Sequence, residues 1–141
     1  MTLRSWLLLA LSGGFFVVVA REKKALQLTG SPDPGTLVAA WTPEDVVGVR
    51  RSLVSDLAAF IPLYTATGVS LRADSGGGRL PDLALAVLVG GAVADIVEDT
   101  AALAYLARRR PGVVGPMRWG SRLKMVVIPA LSGLVLLARR G

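Results

Sequence analysis

Long apolar runs alternate with short polar stretches along this chain. Four apolar segments stand out, at about residues 3–20, 53–71, 80–107 and 117–138. A helix needs about 20 apolar residues to cross a bilayer, so the first and last segments need flanking residues, tilt or local thinning to span it. The pattern predicts an all-α polytopic membrane protein, a bundle of four transmembrane helices in a single domain over residues 1–141.

The connection at residues 21–52 has room for structure of its own. The Pro, Asp and Gly residues in 31–35 predict a turn. After them, Thr42 is typical of a helix N-cap, Pro43 of a first helical residue and Asp45 of a residue that closes a capping box. Apolar residues then recur at helical spacing. We expect a short amphipathic helix from residue 43 that lies on the membrane surface and continues into the second span.

The distribution of lysine and arginine predicts how the chain is oriented. The first connection and residues 108–122, which precede the most apolar part of the fourth segment, hold ten of these residues, five in each, whereas the second connection and the two ends hold five. We expect a multi-pass protein of a bacterial inner membrane. Basic residues favour the cytoplasmic side, so the two loops that are richer in lysine and arginine are expected to lie in the cytoplasm. A cleaved signal peptide ending at Ala20 is the alternative for the first segment, but Arg21, Lys23 and Lys24 favour a retained anchor.

Composition narrows the chemistry. The chain is 52% hydrophobic and 18% charged, and it contains neither cysteine nor histidine. Disulfides, thiol nucleophiles, imidazole catalysis and Cys/His zinc sites are therefore excluded, and we expect no metal and no cofactor. The net charge of +6 comes from basic residues at the ends of apolar segments. This distribution is typical of membrane flanks, so we expect membrane lipids and no nucleic acid as partners.

Three acids interrupt the third apolar segment. Asp95, Glu98 and Asp99 stand at positions i, i+3 and i+4, so they share one helical face. Small residues form two stripes that lead to this face, one through Ala86, Gly90 and Ala94 and the other through Gly91. Because small residues let helices approach closely, the acids are expected to face the bundle interior. Ionisable residues inside a membrane indicate a functional site.

Further polar residues fall at the same depth. Asp56 and Tyr64 lie in the second segment beside Pro62, which frees the Ala58 carbonyl, and Lys124 lies near the start of the fourth. The topology places all of them with the three acids in the half of the bilayer nearest the first and third connections. We predict one cavity with Asp56, Tyr64, Asp95 and Glu98 as catalytic residues. Asp99, Lys124 and Trp41 are predicted to bind substrate.

The order of these features resembles a family of small, uncharacterised bacterial four-helix integral membrane proteins. The matching features are the helix start at residues 42–45, the stretches 52–56 and 62–64, the acidic stretch 94–99, and Lys124. The resemblance implies a shared site at Asp56, Tyr64, Asp95, Glu98 and Lys124. An asparagine is more usual in that family at the position of Asp99, which implies a lesser role for that carboxylate.

Three functions fit these residues. The favoured one is an acid/base enzyme, an isomerase, cyclase or hydrolase, that works without a metal on a lipidic or membrane-soluble substrate. Clustered carboxylates could instead hold Mg²⁺ for a diphosphate substrate, although no doubled aspartate-rich motif is present. The second function is a non-catalytic subunit or assembly factor that pairs with another membrane protein. The third is a small proton-coupled transporter, which would function as a homodimer.

Overall fold

The structure, a computed structural model, describes residues 1–140, and these residues form helices and turns without a β-strand. Its eight α-helices are α1 (Leu3–Ala20), α2 (Lys23–Gly30), α3 (Pro34–Ala39), α4 (Pro43–Ser55), α5 (Ile61–Asp74), α6 (Arg79–Arg108), α7 (Val114–Leu123) and α8 (Val127–Arg140). A π turn at Asp56–Phe60 joins α4 to α5. A 3-10 turn at Pro111–Val113 directly precedes α7. Another, at Lys124–Val126, joins α7 to α8. The all-helical prediction is confirmed.

Three helices in the described part of the chain are long and apolar enough to cross a membrane: Leu3–Ala20, Arg79–Arg108 and Pro111–Arg140. They correspond to the first, third and fourth predicted segments, and the last begins earlier than residue 117. The second predicted segment, 53–71, differs from them. It straddles the π turn between α4, of 13 residues, and α5, of 14 residues, so that neither α-helical part reaches the length of a span alone.

The connection at 21–52 is a folded cap, and most of it is helical. The predicted start of α4 is confirmed, because the Thr42 hydroxyl accepts from the Asp45 N–H and the Asp45 carboxylate accepts from the Thr42 N–H. The cap also contains α2 and α3, which the sequence analysis missed, since helices of eight and six residues show little periodicity. Asp33, in the predicted turn, caps α3 by accepting from the Thr36 N–H.

The apolar face of α4 packs against protein. Its buried Val49 and Leu53 join residues of α2, α3, α6 and α7 in a cap core: Ala25, Leu28, Val38, Ala101, Ala102, Tyr105, Leu106 and Met117. A second core lies between α5, α6 and α8 and contains Ile61, Tyr64, Leu71, Leu88, Ala92, Ala130, Leu134 and Ala138. The expected amphipathic helix is therefore present, and its apolar stripe packs against protein at the end of the bundle.

Paired hydroxyls align α1 with α5. The Ser5 and Ser70 hydroxyls lie 2.7 Å apart and the Ser12 and Thr67 hydroxyls 2.8 Å apart, all four buried. Such bonds satisfy polar groups where water is absent and hold helices together in membranes. Ser5 comes before Ser12 in α1, whereas Ser70, the partner of Ser5, comes after Thr67 in α5. The two helices therefore run antiparallel.

The ends of the helices gather at two opposite sides of the molecule. At one side, the Thr2 N–H donates to the Asp74 carboxylate at 2.7 Å, and the Arg139 guanidinium carbon lies 5.4 Å from the centre of the Trp6 ring. The chain start, the turn after α5 and the end of α8 therefore lie together. The cap lies at the other side, where α2 and α4 contact α7 and α6.

Only some of the predicted small residues mediate close packing. Gly91 and Ala94 are buried, as predicted. Ala86 and Gly90 of the first predicted stripe are exposed, so the prediction that they bring helices together was wrong. The closest approach to the backbone of another helix uses Gly120 of α7. A methyl group there would lie 2.5 Å from the Ala94 carbonyl oxygen and 2.7 Å from Glu98 Cβ.

Gly120→Ala should lower the free energy of unfolding by about 1–3 kcal/mol, because the added methyl group overlaps the backbone of α6. Thermal unfolding of the purified protein in detergent measures the effect. Gly115→Ala is the matched control on the same helix, since no atom of residues 1–140 comes within 4 Å of its added methyl group. Equal melting temperatures for the two variants would contradict the packing described here.

Candidate functional site

The polar residues lie where the two cores meet. The helices α4 and α5 and the π turn between them form one continuous stretch, which we call the 43–74 helix. Along it, Asp56 falls between Leu53 of the cap core and Ile61 of the second core, which we call the bundle core. The acids of α6 lie between the parts of that helix that join the two cores, and Lys124 lies between Met117 and Ala130 in the same way. The site is therefore a polar layer between two apolar ones.

The π turn brings Asp56 into this layer. In it the Ile61 N–H donates to the Asp56 carbonyl, five residues back, directly before Pro62, which has no N–H to donate. Pro62, which was expected to free the Ala58 carbonyl, thus directly follows a wider turn that contains Asp56. The Asp56 side chain is buried, with 6% of the residue exposed. Single π turns of this kind are frequent at functional sites.

The three acids of α6 face inward as their spacing predicted. Asp95 is 5% exposed, and Glu98 and Asp99 are each 1% exposed. Gly120 lets α7 lie directly against the backbone of Glu98. The buried face of α6 therefore presents its carboxyl groups to α5 and to the junction between α7 and α8.

Two contacts fix Asp95 and Glu98. The Tyr64 hydroxyl donates to Asp95 Oδ2 at 3.1 Å, and Tyr64 itself packs edge-on against Phe60, with ring centres 5.1 Å apart. The Lys124 ammonium donates to Glu98 Oε1 at 2.9 Å and lies 3.3 Å from Asp95 Oδ1. The 3-10 turn at Lys124–Val126 places this lysine at the junction of α7 and α8.

Carboxylates outnumber cations in the polar layer. Oxygens of Asp56, Asp95 and Asp99 all lie within 4.8 Å of one another. Four buried carboxylates and the Lys124 ammonium would carry a net charge of −3 if all were ionised. One oxygen on each acid (Asp56 Oδ1, Asp95 Oδ1, Glu98 Oε2 and Asp99 Oδ2) finds no hydrogen-bond partner within residues 1–140. Buried charge of this size requires protons or a bound cation.

An apolar groove leads from the side of the bundle to the carboxylates. It lies between α1 and α8 and consists of two adjoining cavities of about 260 and 220 Å³. The two share a floor of Phe60 and Tyr64 and walls that include Phe16 and Ile128. The inner cavity ends at Asp56, Asp95 and Lys124. The groove therefore joins the apolar outer side of α1 and α8 to charged groups.

A second, smaller cavity lies on the cap side of the same layer. Its volume is about 30 Å³, which is large enough to hold ordered water. Asp56 and Lys124 line both this cavity and the groove. Glu98 and Asp99 line this cavity but not the groove. Thr29 of α2 and Ser52 of α4 complete its wall. The cap thus closes the site on the side away from the groove.

The structure brings together six of the seven residues that the sequence singled out: Asp56, Tyr64, Asp95, Glu98, Asp99 and Lys124. Trp41 lies apart, because it packs against the cap core and lines neither cavity. The sequence analysis missed Thr29, Ser52 and Phe60. Isolated hydroxyl and phenyl groups carry no spacing signal, and only the unpredicted helix α2 brings Thr29 to the site.

Comparisons of the chain with protein-family models, with curated proteins and with solved structures find no match. The resemblance to small four-helix membrane proteins therefore stays a prediction, and the function has to be argued from the geometry.

Lys124→Met should lower the free energy of unfolding by about 3–5 kcal/mol, because it leaves Glu98 and Asp95 without their buried counter-charge. Adding Glu98→Gln should recover part of this loss, since the variant then buries one charge fewer. Arg72→Met breaks the exposed Arg72–Asp82 ion pair as a control and should cost at most about 1 kcal/mol. The four proteins can be compared by chemical unfolding in mixed micelles. A double variant no more stable than Lys124→Met would contradict the assigned pairing.

Proposed function

We propose that this protein is a membrane enzyme that transfers protons to or from a hydrophobic, membrane-soluble substrate, or stabilises charge that develops on it. One observation carries the proposal: an apolar groove between α1 and α8 ends at the buried carboxyl groups of Asp56 and Asp95, and one Asp56 oxygen has no hydrogen-bond partner in residues 1–140. A purely structural polar layer would satisfy its own hydrogen bonds, since an unsatisfied buried group is costly. Reacting groups, by contrast, keep capacity for a ligand.

The residues at the inner end of the groove have distinct roles in this proposal. Tyr64 and Asp95 are already hydrogen-bonded, and they form a pair through which a proton can move between substrate and protein. Asp56 faces the same space from the π turn. Lys124 supplies a fixed positive charge beside them, which favours negative charge on a substrate oxygen or on a neighbouring carboxylate.

Glu98 has a different role from the catalytic one that the sequence suggested. It lines the small cavity and contacts Lys124, whereas the groove is lined by Asp56, Tyr64, Asp95 and Lys124. Glu98 therefore acts as a positioning residue that holds the lysine. The reactions that suit this set of groups are isomerisation, cyclisation and hydrolysis, in which a proton starts or ends the change.

We further propose that the 43–74 helix crosses the membrane, which completes a four-helix bundle. Its end contacts Thr2, while its beginning belongs to the cap at the opposite side. The hydroxyl pairs that join α5 to α1 satisfy the polar side chains that such a span carries inside the membrane. The excess of basic residues in the cap and in the stretch after α6 supports a cytoplasmic location for both, in a protein of a bacterial inner membrane.

Labelling of single cysteines can test this topology without a background, because the chain has no cysteine of its own. Gly30→Cys and Gly112→Cys should react with a membrane-impermeant maleimide only in inside-out vesicles. Ser75→Cys, in the turn after α5, should react from the opposite side. If positions 30 and 75 react from the same side, the 43–74 helix does not cross the membrane.

Tyr64→Phe and Asp95→Asn should each lower turnover by a factor of 10² or more, on the order of the contribution of one general acid or base. Both variants keep the shape of the side chain and remove its exchangeable proton or its charge. Asp99→Asn should be milder, since Asp99 does not line the groove. Because the substrate is unidentified, the probe is a total lipid extract of the expression host, incubated with purified protein and compared by mass spectrometry.

Asp82→Asn is the matched control, because Asp82 is an exposed acid at the far end of α6. It should change the same lipids as the wild-type protein. If no lipid changes with the wild-type protein, and the Asp95→Asn variant loses only a membrane protein that co-purifies with it, the chain is a subunit and the proposed enzyme activity is wrong.

A further inference from the structure

We propose that Asp56, Asp95 and Asp99 bind one divalent metal cation of the oxygen-preferring class, such as Mg²⁺ or Mn²⁺. The sequence analysis favoured chemistry without a metal, so this inference goes beyond it. It also stands apart from the proposed function, because cation binding can be measured without a substrate.

The three carboxylates lie at the spacing that a shared ion requires. Each offers an oxygen within 4.8 Å of the other two. Oxygen ligands lie about 2.0–2.6 Å from Mg²⁺ or Ca²⁺, so two ligands of one ion are at most roughly 4–5 Å apart. The three come from two rigid elements, the π turn and α6, which bury them. The site is therefore preorganised.

Unpartnered oxygens provide an independent indication of a ligand. Asp56 and Asp99 are each at least nine-tenths buried, and each has one oxygen without a hydrogen-bond partner in residues 1–140. Asp95 differs, because its Oδ2 accepts from Tyr64 and its Oδ1 lies 3.3 Å from the Lys124 ammonium. A buried acceptor without a partner is costly, and a bound cation would supply the partner that Asp56 and Asp99 lack.

The charge balance favours a divalent ion. Among residues 1–140, Lys124 is the cation that faces these carboxylates, and it is hydrogen-bonded to Glu98. The three aspartates would then keep most of their negative charge, which a +2 ion largely offsets. Carboxylates without imidazole or thiolate select hard cations rather than zinc or copper.

The position of this ion would explain the groove. Asp56 and Asp95 line its inner end, whereas Asp99 lies behind them. An ion held by the three would face the groove on one side, where it can bind an oxygen of a lipidic ligand, such as a phosphate, carboxylate or carbonyl group. Tyr64 would remain beside it as the proton-carrying group.

The test uses Mn²⁺ as the probe, with the full-length protein in detergent after treatment with EDTA. Electron paramagnetic resonance should show one Mn²⁺ bound per chain, displaced by Mg²⁺ but not by the same concentration of Na⁺. Asp56→Asn and Asp99→Asn should each raise the Kd by at least tenfold. Asp82→Asn, an exposed acid at the far end of α6, is the matched control and should leave the Kd within a factor of about three.

A second measurement locates the ion without removing a ligand. A nitroxide at Met125→Cys, beside the inner end of the groove, should be broadened by Mn²⁺, whereas one at Ser75→Cys should not. This keeps the proposal testable where an aspartate variant fails to fold.

The proposal is overturned if the wild-type protein binds no Mn²⁺ at about 1 mM, the weak end of the range for specific sites. That result would mean that the aspartates are neutralised by shared protons. It is also overturned if binding survives Asp56→Asn and Asp99→Asn, or if Na⁺ displaces Mn²⁺ equally well. If the protein changes lipids in the presence of EDTA and binds no Mn²⁺, the proposed function stands and the proposed cation site is wrong.

Discussion

The contact between Lys124 and the carboxylates of α6 is the interaction on which the rest of the arrangement depends. Burying four acids between apolar layers is unfavourable unless opposite charge or hydrogen-bond donors accompany them. Lys124 reaches Glu98 and Asp95, and Tyr64 reaches Asp95 from the other side. Asp56 and Asp99 receive no comparable partner from residues 1–140. The fold therefore gives partners to two of the four acids and leaves the other two with capacity to bind something else.

Several local features of the backbone maintain this asymmetry. The π turn adds one residue to the turn that contains Asp56, and Gly120 lets α7 approach α6 so that Lys124 reaches its partners. The hydroxyl pairs between α1 and α5 hold α1 in place along one side of the groove. The cap closes the cluster on its other side with Thr29 and Ser52. Each feature stabilises the layer without supplying charge to Asp56 or Asp99.

Much of the site could be predicted from the sequence because its signals are periodic or depend on depth. The spacing of Asp95, Glu98 and Asp99 defines one helical face, and the order of the segments places Asp56 and Lys124 at the same level. The capping box at Thr42 was equally readable. Features that depend on tertiary contacts were not. Spacing alone did not distinguish the buried Gly91 from the exposed Gly90, and a tryptophan at a segment edge, Trp41, is a cap residue as readily as a ligand contact. The groove exists only because α1 and α8 flank Phe60 and Tyr64.

In the proposed function, the unpartnered carboxylates are kept for a ligand and do not hold the fold together. Residues retained for function at the expense of stability can be replaced with a gain in stability. The melting temperature of Asp99→Asn, measured beside the wild-type protein in the same detergent and with EDTA present, therefore separates a ligand-binding role from a structural one. We expect a melting temperature equal to or higher than that of the wild type, because the variant removes a buried charge that lacks a partner. A melting temperature several degrees lower would show that Asp99 is structural and that the carboxylate cluster holds the fold together.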